Sequence, residues 1–276
     1  MIVEVCYADG VYSKSQKWNI VFAKCFVGCK EVYVYNRESL PEDFMKKNER
    51  ILAFKRGGGY WIWKSFIIQE SLKKLEFGDY LLYCDSGALL KRNLKKLIKV
   101  MERDNQDLMT FEVCDRTEGE WTKRDVFLAL DFDNEECVKS PQRMGTFIFM
   151  KKTENTVKFI DEYVKYSQTG TIITDEDNSY GLPNYPEFNE NRHDQSIFSV
   201  LSKKWGYKAY RDPSQWGNYQ KLLYKEKRFK YDSEYETYER STYPTMFIHH
   251  RYKVINLHNI LAYYYHYFKN WKLYKK

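Results

Sequence analysis

The chain has 276 residues, with 45 Lys and Arg against 38 Asp and Glu, which gives a formal net charge of +7. A chain of this length can bury one sizeable core, and its modest, intermixed charge does not indicate a nucleic-acid partner. Six cysteines without a C-x-x-C pair favour reduced thiols over a zinc or disulfide framework, and no apolar run reaches the length of a membrane span, so we expect a cytoplasmic protein.

Strands and helices alternate over the first third of the chain. Apolar runs at 2–7, 31–35 and 51–54 are predicted to be strands, with helical patterns at 16–26 and from Pro41 onward between them. This alternation is typical of a doubly wound, mainly parallel sheet flanked by helices, and so of the α/β class.

The first two predicted strands end in polar residues. In an open α/β sheet the carboxyl ends of the strands border the ligand crevice, which makes Tyr7, Asp9 and Asn36 candidates to bind the base and ribose of a nucleotide. The alternative is that Asp9 and Asn36 serve only as turn residues.

The stretch from Gly57 to Leu90 joins a glycine loop, a helix, a buried strand and an acidic turn. Apolar residues at helical spacing predict a helix over 60–75, and the run at 80–84 predicts a strand covered on both faces. That strand delivers Asp85 to the ligand edge of the sheet, where a carboxylate can hold a divalent cation against a diphosphate. A plain Asp-Ser-Gly turn is the alternative.

The second half of the chain continues with predicted helices from Asn93, at 121–130 on the surface and at 154–166, and with strands at 107–113 and 143–150. An acidic, turn-rich stretch at 169–190 has the length of a lid or binding loop. It leads into a helix that begins near Asp194, where a carboxylate favours the helix N-terminus by capping alone.

Three runs together resemble a family of GT-A-type sugar transferases found in capsule and surface-glycan loci. They are GGGYWIWKSFII…GDYLLYCDSG, RHDQSIFSVL and HHR. The resemblance implies a single Rossmann-like GT-A domain over 1–254, with a nucleotide-sugar-binding half at 1–115 and an acceptor half at 116–254. The sequence departs from the family pattern at Gly58, Ser65 and Gly87, and Gly87 replaces the second acid of a D-x-D motif.

The resemblance also implies roles for single residues. Asp85 with His249 or His250 would bind Mn²⁺ or Mg²⁺, and Asp194 would be the base that deprotonates the acceptor hydroxyl. Lys64 would lie near the donor phosphates, with a surface lysine as the alternative. The other implied contacts are Ser86, Gly87 and Arg251 for the donor, and His193 and Gln195 for the acceptor sugar.

The expected function is therefore metal-dependent transfer of a sugar from a nucleotide-diphosphate donor, such as a UDP-sugar, to a hydroxyl of a glycan or lipid-linked glycan. The alternatives are a metal-dependent phosphoesterase or nucleotide-sugar hydrolase and a non-catalytic glycan-binding module. Residues 255–276 are rich in Tyr and Lys, and predict a basic aromatic helix that either lies on an anionic membrane surface or packs on the domain.

Overall fold

A computed structural model describes residues 1–250, 254–261 and 265. The strands in this part of the chain are β1 (Ile2–Tyr7), β2 (Glu31–Tyr35), β3 (Tyr80–Cys84), β4 (Ala88–Leu90), β5 (Leu108–Thr117), β6 (Pro141–Arg143), β7 (Phe147–Lys151), β8 (Ala209–Tyr210) and β9 (Phe247–His249). The helices are α1 (Ser13–Phe22), α2 (Glu42–Lys47), α3 (Glu49–Leu52), α4 (Gly57–Tyr60), α5 (Ile62–Lys73), α6 (Lys95–Arg103), α7 (Glu118–Trp121), α8 (Arg124–Ala129), α9 (Glu135–Lys139), α10 (Glu154–Ser167), α11 (Asp194–Lys204), α12 (Gly217–Lys225) and α13 (Asp232–Arg240), with a further helical segment at 257–261.

Seven of the described strands form one central sheet, in the order β2-β1-β3-β7-β5-β6 with β8 also paired to β5. The pairings β1–β2, β1–β3 and β5–β8 are parallel, whereas β3–β7, β5–β7 and β5–β6 are antiparallel. Five strands therefore run in one direction and only β6 and β7 run in the other. A separate antiparallel pair joins β4 to β9. The predicted α/β class is confirmed.

The core has two layers, one on each face of the sheet. Successive side chains of a strand point to opposite faces. On β3, Leu81 and Tyr83 pack in the cluster that contains α5, α10 and α11, whereas Leu82 and Cys84 pack in the cluster that contains α6. The continuous apolar pattern of 80–84 thus arises because helices cover this strand on both sides.

Two predicted elements are corrected by the structure. The run at 51–54 is not a third strand, because Ile51 and Leu52 belong to α3 and bury their side chains from a short helix. A short apolar run has no periodicity that separates a strand from one helical turn. The helix predicted at 121–130 is shorter, and it does not face solvent: Lys123, just before α8, is 3% exposed and Asp125 is completely buried.

The topology brings four chain segments to the carboxyl end of β3. These are the loop after β3, the start of α5, the turn between β6 and β7, and the start of α11. The β4–β9 pair covers the loop after β3 and carries His249. Within the described residues no helix has both the length and the apolar character required to cross a bilayer.

Candidate active site

A cavity of about 1140 Å³ opens at the carboxyl end of β3. Six of the residues predicted to act on substrate or metal border it, from both halves of the chain: Lys64, Asp85, His193, Asp194, Gln195 and His249. The cavity is slightly larger than the range of about 300–1,000 Å³ typical of small-molecule sites, so it has room for a ligand with several parts.

Lys64 lies at the base of this cavity between two carboxylates. Its ammonium is 2.6 Å from Asp194 Oδ2 and 3.6 Å from Asp85 Oδ1, and it donates a hydrogen bond to the Gly145 carbonyl at 3.1 Å. The side chain is only 4% exposed. Lys64 is therefore neither a surface lysine nor an isolated phosphate ligand, because its contacts join the two acidic motifs.

The short element α4 is a left-handed turn rather than a regular α-helix, and it sets the start of α5 and hence the position of Lys64. All five residues from Gly57 to Trp61 have positive φ, including the bulky Tyr60 at 53° and Trp61 at 58°. A Cβ on Gly57 would lie 2.4 Å from the Trp61 ring, and one on Gly59 would lie 2.8 Å from Leu52 Cα. Gly57 and Gly59 are thus required for close packing of the chain against Trp61 and α3.

Asp194 is the buried carboxylate of the site. Burial raises the pKa of its carboxyl to about 6, although the nearby Lys64 ammonium opposes that shift. Burial also disfavours the charge on Lys64, but the two carboxylates outweigh this and raise its pKa. A Cβ at position 145 would approach Asp194 Oδ2 to 3.2 Å, so Gly145 leaves just enough space for the carboxylate.

Asp85 is the more accessible carboxylate, with a side chain that is 31% exposed. It follows β3 directly, and the Tyr83 hydroxyl donates a hydrogen bond to its Oδ1 at 2.6 Å. Its backbone N–H donates to the Thr146 carbonyl, which fixes the loop after β3 against the turn before β7. The side chain is therefore held on one oxygen and borders the cavity.

His193 occupies a strained backbone position immediately before α11, with φ 58° and ψ −118°. Its Nδ1 is 2.8 Å from the Ile173 carbonyl, which can only accept, so Nδ1 carries the proton and Nε2 is left as an acceptor. The ring packs on Tyr60 and Trp61. Burial lowers its pKa to about 4, so this imidazole is neutral at physiological pH.

Gln195 holds the segment 142–145, whose Gly145 carbonyl accepts a hydrogen bond from Lys64. The Gly145 N–H donates to Gln195 Oε1 at 3.0 Å, and the Gln195 amide donates to Gln142 Oε1 at 2.7 Å. Both ends of this amide thus hold the 142–145 segment, although the residue still borders the cavity.

The two adjacent histidines differ in their positions. His249 borders the cavity, and its backbone N–H and carbonyl are both hydrogen-bonded to the Gln215 amide at 2.8 Å. The backbone N–H of His250 donates to the Gly87 carbonyl, and burial lowers the pKa of its imidazole to about 4. Of the two, we therefore assign His249 to the same cavity as Asp85.

The residues that border the cavity offer few side-chain ligands for a metal cation. Among the described side chains, one group of three has its potential metal-ligand atoms close together: Cys114, Asp115 and Glu234. Asp85 and the described histidines do not form such a group. A carboxylate and an imidazole that border one cavity do fit an ion that takes its other ligands from substrate phosphates and water, as Mg²⁺ commonly does.

The other predicted donor-binding residues make contacts within the fold. Tyr7 stacks on Trp63 at 3.6 Å between ring centroids, and its hydroxyl donates to Asp9. Asn36 caps a short 3₁₀ helix by accepting from the Ser39 N–H. Asp9 also accepts from the Arg37 N–H, Ser86 donates to the Tyr7 carbonyl, and Gly87 accepts from His250. Arg251 lies outside the described residues.

Several residues around the cavity were not predicted from the sequence. Arg56 and Arg192 border it beside the acidic loop, where both form ion pairs with Glu190. Trp216 and Tyr219, at the start of α12, also border it and are each more than half exposed. The available signal was weak: these aromatics lie in a charged, tyrosine-rich stretch without clear periodicity.

No family model matches the chain, and no curated protein matches its sequence. Among solved structures, mouse xyloside xylosyltransferase 1 is similar at 10% identity and a TM-score of 0.45, over 90% of this chain and 96% of that one. A glycosyltransferase involved in glycosylation of the major capsid of PBCV-1 is similar at 11% identity and 0.44, over 90% and 92%. The galactosyltransferase LgtC, solved with donor and acceptor sugar analogues, is similar at 11% identity and 0.48, over 90% and 86%. TM-scores below 0.5 at such identities do not bear on substrate or mechanism, which rest on the side chains of the site.

Proposed function

We propose that the protein is a glycosyltransferase that moves a sugar from a nucleotide-diphosphate donor, such as a UDP-sugar, to a hydroxyl of a glycan or lipid-linked glycan. The observation that carries the proposal is the meeting of Asp85, Asp194 and His249 at one cavity of about 1140 Å³. These groups come from the three separate runs that resemble the transferase family.

In this proposal Asp85 and His249 hold a divalent cation, Mn²⁺ or Mg²⁺. When bound, such an ion neutralises the charge that develops on the leaving diphosphate. Asp85 suits this role because its side chain is the more exposed carboxylate and one oxygen is already fixed by Tyr83.

Asp194 acts on the acceptor in this proposal. With a pKa raised to about 6, its carboxylate is mostly ionised at neutral pH and still basic enough to accept a proton from an acceptor hydroxyl. Lys64 holds the carboxylate in place and keeps it charged despite burial. These features favour inversion at the transferred sugar carbon, with Asp194 as base.

The test is a thermal-shift panel of UDP-, GDP- and dTDP-sugars, each with Mn²⁺ and with EDTA. We expect one nucleotide class to stabilise the protein selectively, and only with Mn²⁺, because a ligand that binds the folded state raises the melting temperature. The selected donor is then assayed for sugar transfer to glycan acceptors and for hydrolysis without an acceptor.

Two variants make this test specific. Asp85→Asn should lose the Mn²⁺-dependent shift. Asp161→Asn, on the exposed surface of α10, should keep it. An Asp85→Asn protein with the full shift, or hydrolysis that no acceptor converts to transfer, would contradict the proposal.

A further inference from the structure

A second cavity, of about 550 Å³, lies behind α12. The residue after β8, residues of α12 and α13, and the segment after α13 line it, among them Arg211, Lys221, Tyr224, Tyr238, Glu239 and Tyr243. Asn218 also borders the first cavity, so α12 separates the two.

Arg211 is the main cation of this second cavity and is only 7% exposed. One guanidinium nitrogen donates to the Tyr243 carbonyl, and the group packs 5.0 Å from the Tyr243 ring centroid and 5.8 Å from that of Tyr238. Gly217 permits this position, since a Cβ there would lie 2.5 Å from Arg211 Nη1. The fold therefore holds the guanidinium rigidly at the cavity wall.

This guanidinium has no acidic partner. No Asp or Glu carboxylate in residues 1–250, 254–261 and 265 lies within ion-pair distance of it, and the rest of the chain contains neither residue type. Glu239, the one acid that lines the cavity, accepts instead from the Tyr224 hydroxyl at 2.8 Å. A buried charge without a counterion is costly, and buried arginines are normally paired.

We propose that this second cavity binds a small oxyanion, a phosphate group on a compact organic body, with Arg211 as its main ligand. Arg211 offers a planar donor edge of the kind that binds phosphate or carboxylate through two hydrogen bonds. Lys221 adds a second positive charge, and Tyr224 and Tyr238, whose rings stack at 4.5 Å between centroids, form an aromatic wall for the body of the ligand. The volume lies within the range of small-molecule sites.

The proposal is tested on the full chain by thermal shift in EDTA at constant ionic strength. The probes are inorganic phosphate, glucose 1-phosphate, glucuronate and glucose, with chloride as the reference anion. We expect both phosphate probes to raise the melting temperature, by about 3 °C at ten times the Kd, and glucose to have no effect. Glucuronate distinguishes a carboxylate from a phosphate source of the oxyanion.

Variants localise the effect to this cavity. Lys221→Gln, at an exposed position, should weaken phosphate binding about five-fold, because it removes one partly screened charge. Lys225→Gln, an exposed lysine on the same helix that does not line the cavity, should bind as the native chain does. Arg211→Gln should abolish the phosphate shift. If Arg211→Gln does not fold, the phosphate affinities of Lys221→Gln and Lys225→Gln decide whether phosphate binds at this cavity.

The proposal is overturned if phosphate acts no better than chloride, if glucuronate alone stabilises the protein, or if Lys221→Gln retains native affinity. The result is independent of the sugar-transfer proposal. Asp85→Asn should leave this phosphate shift unchanged, whereas the Mn²⁺-dependent nucleotide-sugar shift should not respond to Lys221→Gln.

Discussion

Lys64 fixes the relative positions of the groups in the candidate site, because its ammonium lies between Asp85 and Asp194 and also contacts the Gly145 carbonyl. The sequence separates these groups by up to 130 positions, and no local pattern indicates that they meet. A lysine at such a site suits both proposed roles: it keeps Asp194 ionised and leaves the more exposed Asp85 to face the ligand.

Replacing Asp194 tests the proposed base. Asp194→Asn should lower kcat for sugar transfer about 10²–10⁴-fold, the usual contribution of general base catalysis. With the native chain, kcat for the proposed transfer should rise with pH through about 6, because the carboxyl with its raised pKa must lose a proton to act. The variant should lack this rise. Asp161→Asn is the control, and an unchanged pH profile in Asp194→Asn would contradict the role.

The ion pair between Lys64 and Asp194 predicts a non-additive effect on stability. Asp194→Asn leaves the buried ammonium with Asp85 alone at 3.6 Å, and the free energy of unfolding should fall by about 3 kcal/mol. Lys64→Met in the same chain removes the uncompensated charge and should recover part of this loss. Urea unfolding of the native chain, both single variants and the double variant measures the coupling. Simple additivity would mean that the pair is not coupled.

Glu4 is a fully buried carboxyl on β1, and neither of its oxygens has a hydrogen-bond partner among the described residues. Burial raises its pKa well above 4.5, so the folded protein holds it protonated. The unfolded chain releases this proton above pH 4.5. The contribution of Glu4 to the free energy of unfolding is therefore fully present below pH 4.5. It falls by about 1.4 kcal/mol for each pH unit as pH rises toward the pKa of Glu4 in the folded protein.

Glu4→Gln removes this titration while keeping the shape of the side chain. We expect the difference in unfolding free energy between Glu4→Gln and the native chain to shift in favour of the variant as pH rises from 5 to 8. Denaturant unfolding at four pH values measures it. A difference that does not change with pH would show that Glu4 is ionised in the folded state.

Among the elements, the left-handed turn from Gly57 to Trp61 differs most from what local sequence preference allows. Two bulky aromatics there have positive φ, which costs roughly 1–2 kcal/mol for each residue. Packing compensates for this cost: Tyr60 and Trp61 contact the His193 ring, which links the turn to the start of α11.

Two glycines separate backbone strain from close packing. Gly59 and Gly78 have nearly equal φ, 98° and 94°, but a Cβ on Gly59 would lie 2.8 Å from Leu52 Cα and one on Gly78 would meet nothing within 4 Å. Gly78→Ala should cost about 1–2 kcal/mol from conformation alone. Gly59→Ala should cost about 1–3 kcal/mol more from overpacking. Equal losses in urea unfolding would show that the turn relaxes.

The acidic loop at 169–190 is held in place by residues that are distant from it in the sequence. Its irregular, turn-rich character is confirmed, yet its anchors lie elsewhere in the chain. Lys123 donates to the carbonyls of Thr171, Glu176 and Asp177, and Asp125 accepts from the Ser179 and Tyr180 N–H groups. Local periodicity placed these two residues on the surface, because it does not show that a loop 50 residues later needs their charges.

At the scale of the whole molecule, sequence patterns predicted the positions of strands and helices best where an element packs against a neighbouring layer of the fold. The strands at 2–7 and 80–84 and the helices at 62–73 and 154–167 lie where expected, because each buries a continuous stripe or face, and the strand at 31–35 also lies where expected although none of its residues is fully buried. The candidate site was predicted in part. Asp85 follows β3, Asp194 begins α11 and His249 ends β9, all at the ligand edge, whereas Trp216, Arg56 and the second cavity depend on how distant segments pack.

A small apolar cluster joins residues after β9 to α1 and to the β4–β9 pair, and this contact predicts how the stability of the molecule depends on those residues. Phe22 of α1, Leu89 of β4 and Ile248 of β9 pack with Ile255 and Ile260. The same β4–β9 pair carries His249 to the candidate site. Ile255 and Ile260 therefore pack on the domain, whereas residues 262–264 and 266–276 of the predicted C-terminal helix lie outside the described residues.

Ile260→Ala should lower the free energy of unfolding by about 2–4 kcal/mol, because it leaves a cavity in this cluster. Leu261→Ala is the matched control, since that side chain is 59% exposed and its loss should change stability by no more than about 0.5 kcal/mol. Urea unfolding measures both. Because the cluster supports the strand that ends at His249, Ile260→Ala should also reduce the Mn²⁺-dependent nucleotide-sugar shift, and Leu261→Ala should not. Equal stability losses in the two variants would mean that the segment does not anchor the fold in solution.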